Sequence, residues 1–166
     1  MLYEITGVCQ NCAAEYSVTV HNDKLLNSCP DCADAPFVLT RYKGLVYIVK
    51  NPNQAGVKIG MTERTIETRL KQLNNTSVPG LFECIAIFAS QRPKKDEQRV
   101  HEKLLRHKLD KEHFDLEPVD AALKAYRALS RKRPIFYNSS VEEMFDLRLE
   151  ESRIQMQIRL KGKERR

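Results

Sequence analysis

Apolar residues fall along this chain in two rhythms, and the switches between them mark its elements. Residues 44–50 form a β-branched run, Gly-Leu-Val-Tyr-Ile-Val-Lys, which stops at Asn51-Pro52-Asn53-Gln54-Ala55-Gly56. A second run, Val57 to Met61, follows at once, so the two predict an antiparallel strand pair. Ile66, Leu70 and Leu73 then recur at i, i+4 and i+7 behind Thr62 or Thr65 as cap, which predicts a helix ended by Asn74-Asn75 and Ser77-Val78-Pro79-Gly80. Phe82 to Ala89 reads as a third strand. Helical spacing returns over 95–108 through Val100 and Leu104, with Leu105 as a further inward candidate, and again after Pro118 through Val119, Ala122, Leu123, Tyr126 and Leu129. Past Arg131-Lys132-Arg133-Pro134, the capping box Ser140-Val141-Glu142-Glu143 opens a last helix with Met144, Phe145 and Leu149 inward. The expected fold is α+β: a small mixed or antiparallel sheet with flanking helices in the order β-β-α-β-α-α, then a C-terminal helix.

The N-terminal 40 residues follow a different plan. Tyr16 to Val20, the turn His21-Asn22-Asp23-Lys24 and Leu25-Leu26 read as a hairpin. Cys9-x-x-Cys12 lies before it and Cys29-x-x-Cys32 after it. Each pair places two sulfurs on one tight turn, and two such turns side by side give the tetrahedral four-thiolate set of a zinc ribbon. A redox pair or disulfides would use the same residues, but two evenly spaced pairs without a secretory leader favour Zn²⁺ in a structural role, because four thiolates leave no open position for substrate. Cys84, alone in an apolar run, is expected to be buried. The domains expected are therefore 1–40, a zinc ribbon; 41–130, the mixed domain; and 131–166, a basic linker and helix.

Charge divides along the same boundary. The net charge is +6, yet residues 1–40 carry Lys24 against Glu4, Glu15, Asp23, Asp31 and Asp34, net −4, which leaves +10 for residues 41–166. An acidic polymer, DNA, is the expected partner of the larger part, through Lys94, Lys95, Arg99, Lys103 and Arg106. The acidic ribbon suits a protein contact or simple stapling better than a grip on phosphate. No apolar run reaches the roughly 20 residues of a membrane span, so the chain is expected to act in the cytoplasm, or in a nucleus.

Cutting a phosphodiester needs an activated nucleophile, a metal that neutralises the phosphate and a cation near the developing charge. Tyr47 and Lys58 lie on neighbouring expected strands, where an ammonium would lower the phenol from its usual pKa of about 10. Arg69 on the next helix can present a planar fork to a phosphate oxygen. Glu97 and His101 are one helical turn apart, and the carboxylate can hold Mg²⁺ or Mn²⁺. Taken singly each has an ordinary structural reading: a half-buried strand tyrosine, a solvated lysine, a surface arginine, an exposed Glu-His pair. Their order along the chain carries the argument.

That order, with Val46-Tyr47-Ile48, Lys58-Ile59-Gly60-Met61-Thr62, Arg69 to Leu73, Thr76-Ser77-Val78-Pro79, Glu97-x-x-x-His101 and Glu112-x-Phe114, resembles the GIY-YIG nuclease superfamily in its phage and fungal branch. The resemblance covers about residues 43–117. It implies a DNA endonuclease of phage or mobile-element origin, with Tyr47 as general base or relay, Arg69 stabilising the transition state and Glu97 binding a single divalent cation. Lys58 and His101 would assist. The second tyrosine of the superfamily's name is Lys58 here. That departure sustains a rival reading, a catalytically weak or inactive DNA-binding or regulatory module; a zinc-ribbon adaptor for a protein partner is a further one.

Overall fold

The computed structural model describes residues 1–74 and 79–163, with side chains described as far as Arg159. The helix stop at Asn75, Ser77 and Val78, the Thr76-Ser77-Val78 segment of the resemblance and the tail Glu164-Arg165-Arg166 lie outside the described residues. The chain divides into two compact units, Met1–Arg41 and Tyr42–Arg166.

In the first unit β1 (Leu2–Val8) pairs antiparallel with β2 (Glu15–His21), and β2 with β3 (Lys24–Leu25). Asn22 and Asp23 between β2 and β3 both take positive φ, 47° and 66°. That is the type I′ geometry whose twist matches the two strands, and Asn and Asp tolerate it. The hairpin is therefore as read, whereas β1 has no counterpart in that reading. Leu2, Tyr3 and Val8 are exposed, so β1 lacks the alternating buried face that announces a strand. Val18 and Val20 of β2 supply the buried apolar positions, and Tyr16 packs on Phe37 with ring centroids 5.7 Å apart.

The second unit is built on a six-stranded antiparallel sheet. Its strands are β4 (Gly44–Lys50), β5 (Val57–Thr62), β6 (Glu83–Ser90), β7 (Lys108–Asp110), β8 (His113–Phe114) and β9 (Ile135–Phe136), in spatial order β7-β8-β5-β4-β6-β9. β4 lies between β5 and β6, and its residues Val46, Tyr47, Ile48 and Val49 are all buried. A strand covered on both faces has no polar side to alternate with, which is why this run is continuously apolar. On one face α1 (Ile66–Leu73) covers Tyr47, Val49, Phe82, Cys84 and Ile87. On the other, α2 (Pro93–Lys103), α3 (Pro118–Ala128) and α4 (Ser139–Lys163) close over Val46, Ile48, Ile59, Phe88 and Phe114. Burial pushes the Cys84 thiol up to about 12.

The helix ends correct the sequence expectation in several places. Of the two expected candidates it is Thr65 that caps α1, its hydroxyl accepting from the Thr68 N–H. α2 starts at Pro93 and stops at Lys103; the chain then makes a 3₁₀ turn at Leu105–His107 and enters β7, leaving Leu105 exposed. Asn138, rather than Ser140, caps α4 by accepting from the Val141 N–H. Phe145 is fully buried against Tyr126 and Phe136, but Met144 faces outward. Residues 131–166, set apart in the sequence, thus supply an edge strand and a core-packed helix to the second unit.

Candidate functional site

In the first unit the two cysteine turns are built alike. The Cys9 N–H donates to the Ala14 carbonyl and the Ala13 N–H returns to the Cys9 carbonyl; Cys29, Asp34 and Ala33 repeat the pattern. Ala13 and Ala33 take matching positive φ of 61° and 60°. The amide N–H groups of Cys12 and Asn11 are aimed at the Cys9 sulfur and draw its thiol down to about 7. All four ligand sulfurs lie within 4.8 Å of one another, with Cys9–Cys32 at 3.7 Å and Cys12–Cys29 at 3.6 Å. Zn–S bonds of about 2.3 Å give a tetrahedron with edges of about 3.8 Å. The donor set and its spacing fit Zn²⁺, and the four cysteines form a cluster that could bind it.

In the second unit the residues singled out meet at β5 from both faces of the sheet, Tyr47 and Arg69 from the α1 face, Glu97 and His101 from α2. Tyr47 of β4 is fully buried, and its hydroxyl accepts from Arg69 Nε of α1 at 3.0 Å. The strand register pairs Tyr47 with Gly60, and a Cβ built on Gly60 would stand 2.4 Å from the Tyr47 hydroxyl and 2.7 Å from Cζ. Gly60 therefore admits the phenol ring over β5. The ring fills the space that a side chain at position 60 would need.

Lys58 does not act on that phenol as expected. Its register partner is Val49, and its ammonium is held by the Glu112 carboxylate at 2.5 Å. Burial pushes the Tyr47 phenol above its ordinary value; Arg69 opposes this, and the Glu112 and Glu97 carboxylates add to it. The cation at the phenol is thus Arg69, and the phenol is protonated at neutral pH. Arg69 Nη1 lies 3.3 Å from Gln72 Oε1, so two contacts fix the plane of its fork.

Glu97 of α2 is half-buried, with the Met61 N–H donating to its carboxylate. Burial, then the Glu112 charge, hold its carboxyl above the ordinary range against His101, Met61 N–H and Lys58. His101 Nε2 sits 2.9 Å from the Ile59 carbonyl and its ring packs on Phe114 at 5.0 Å. A carbonyl can only accept, so Nε2 carries a proton. His101 thereby ties α2 to β5. Glu112 had no role in the reading of the sequence beyond its place in a motif; the ion pair with Lys58 spans 54 positions, which no local spacing signals.

Lys94, Lys95, Arg99, Lys103 and Arg106 are all exposed, but most do not join this group. At about 100° per residue, Lys95 and Arg99 lie roughly 160° around α2 from Glu97, and Lys103 roughly 120°. Val100 and Leu104 are fully buried on the sheet side, which fixes the rotation of the helix. Lys94 alone of the α2 set falls beside His101. The basic strip is hence a separate face, where Arg92, Lys95 and Arg99 line a shallow cleft with Asp96.

The arrangement offers hard oxygen donors at Glu97 and Glu112, a fixed guanidinium and a buried phenol, with cations on an outer face. No curated protein matches the chain, and neither does any solved structure. Residues 44–130 match the T5orf172 domain. That span begins at the first residue of β4, ends past α3 and takes in Tyr47, Lys58, Arg69, Glu97, His101 and Glu112 together with the five basic positions. With more than half of its residues inside the match, the chain belongs to the T5orf172 domain family.

Proposed function

We propose that this protein is a divalent-metal-dependent DNA endonuclease of phage or mobile-element origin, with a structural zinc ribbon in its first unit. The T5orf172 domain is consistent with a nuclease-like or DNA-binding role. The observation that carries the step to catalysis is the Tyr47–Arg69 hydrogen bond of 3.0 Å with Glu97 and Glu112 close enough to act on the same phenol. It involves one strand, two helices and the β7–β8 turn, in the chain order of the GIY-YIG resemblance.

In this reading water attacks phosphorus, its proton passes through the protonated Tyr47 hydroxyl as relay to solvent, and one ester oxygen leaves and takes a proton from solvent. Arg69 donates to the non-bridging oxygens as charge builds on them. Glu97, with Glu112 beside it, would hold Mg²⁺ or Mn²⁺, which commonly take one or two carboxylates and complete their shell with water and phosphate. When bound, the cation would neutralise phosphate charge and offset the two carboxylates that face the phenol. Lys58 binds Glu112 and so sets how much negative charge that side retains; His101 positions α2. The outer strip of Lys95, Arg99, Lys103 and Arg106, with Lys94, would track phosphates without reading bases.

Two observations favour a second reading, a DNA-binding module without cleavage: Glu112 already has its counter-ion in Lys58, and the phenol is held protonated. Supercoiled plasmid with Mg²⁺ or Mn²⁺ separates the two. Nicking that disappears in Glu97→Ala and Arg69→Ala supports the enzyme; plasmid retention without nicking under any metal supports the binding module. Nicking that survives both substitutions would assign the activity to something other than this site.

A further inference from the structure

α4 presents a second apolar stripe that nothing covers among the described residues of the second unit. Its inward arc packs on the core through Phe145, Val141 and Leu149, and Arg148 ion-pairs Asp120 of α3, which fixes the rotation of the helix. Met144, Leu147, Ile154 and Ile158 fall within about 80° of one another, on roughly the opposite side. All four are exposed, Leu147 by 55% and Ile158 by 65%. Their spacing follows a heptad seam, with Glu151 at the one interrupting position. The mean direction of apolarity along α4 nearly cancels because it has two such faces.

Charge along the same helix states which partner fits. Residues 139–152 carry Glu142, Glu143, Asp146, Glu150 and Glu151 against Arg148, net −4; residues 153–159 carry Arg153 and Arg159, net +2. A second copy of the helix laid antiparallel brings each acidic half against a basic half. A parallel copy would set like charge on like charge along the full length. We propose that two copies of this protein associate through antiparallel pairing of their α4 helices along Met144, Leu147, Ile154 and Ile158. The contact is isologous and closes at two chains. Glu151 near its middle interrupts the apolar seam and weakens the contact.

The full chain in analytical ultracentrifugation, over a wide range of concentration, tests this. The wild type is expected to reach twice the 19.2 kDa chain mass. Ile154→Ser with Ile158→Ser should be monomeric while helicity and melting are retained, since neither residue packs in the core. Orientation is tested separately: Glu143→Lys with Glu150→Lys should dissociate the dimer, and adding Arg153→Glu with Arg159→Glu should restore it. A wild type that stays monomeric, or a dimer that survives the serine pair, overturns the proposal. Indifference to both charge reversals overturns the antiparallel arrangement. None of these residues belongs to the Tyr47–Arg69–Glu97 group, so nicking by a single chain is independent of the outcome.

Discussion

Replacing Gly60 by Ala tests the register on which the candidate site depends. Backbone strain is not the issue, because Gly60 is not at positive φ. The new methyl group would meet the Tyr47 hydroxyl at 2.4 Å and Cζ at 2.7 Å, well inside contact distance. Tyr47 is fully buried beneath α1 among Val49, Ile66 and Ile87, so its ring has no open side to move into. Overpacking of this kind costs about 1–3 kcal/mol. A ring displaced by about an ångström also loses the 3.0 Å bond from Arg69, and a hydrogen bond to a charged group is worth about 1.5–3 kcal/mol. Alanine returns about 0.5–1 kcal/mol by restricting the unfolded chain. The net expectation is a loss of about 2–5 kcal/mol, read by denaturant titration of residues 42–166 as a lower midpoint with unchanged slope. Tyr47→Phe removes the nearest clashing atom, so the double variant should lose less than the two singles together. Additivity of the two losses to within about 0.5 kcal/mol, or a Gly60→Ala midpoint equal to wild type, would refute the packing argument.

Two further expectations concern metals. Structural Zn²⁺ contributes about 10–16 kcal/mol to the folding of a small unit. Cys29→Ser or a strong chelator should therefore abolish one equivalent of zinc per chain and amide protection across β1–β3, while β4–β6 stay protected; intact β1–β3 without zinc would contradict the structural role. At Glu97, burial and Glu112 raise the carboxyl, so protons compete with a cation at a pH above the ordinary carboxylate range. Mn²⁺ binding measured by calorimetry should tighten as pH rises through that raised value, and Glu97→Gln should remove both the binding and its pH dependence. Binding that is flat with pH would mean that Glu97 is not the ligand.

Sequence alone determined what local chemistry can encode. Two C-x-x-C turns, the Asn22-Asp23 hairpin, the apolar run of β4 and the Ile66-Leu70-Leu73 period of α1 each follow from steric and hydrophobic preferences within a few residues. The order of Tyr47, Arg69 and Glu97 along the chain was legible for the same reason. What joins distant segments was decided by tertiary structure. β7, β8 and β9 are two or three residues long and hold their place only by pairing with other strands, so no period announces them. Strand register set Gly60 rather than Lys58 across from Tyr47, and the return of the chain at β8 delivered Glu112 to Lys58. Spacing of two positions already sets Lys95 and Arg99 on the other side of α2 from Glu97; the buried Val100 decided which side of the helix meets the sheet. A sequence states which side chains are near one another along the chain; only packing of the core, which fixes helix rotation and strand register, states which of them share a space.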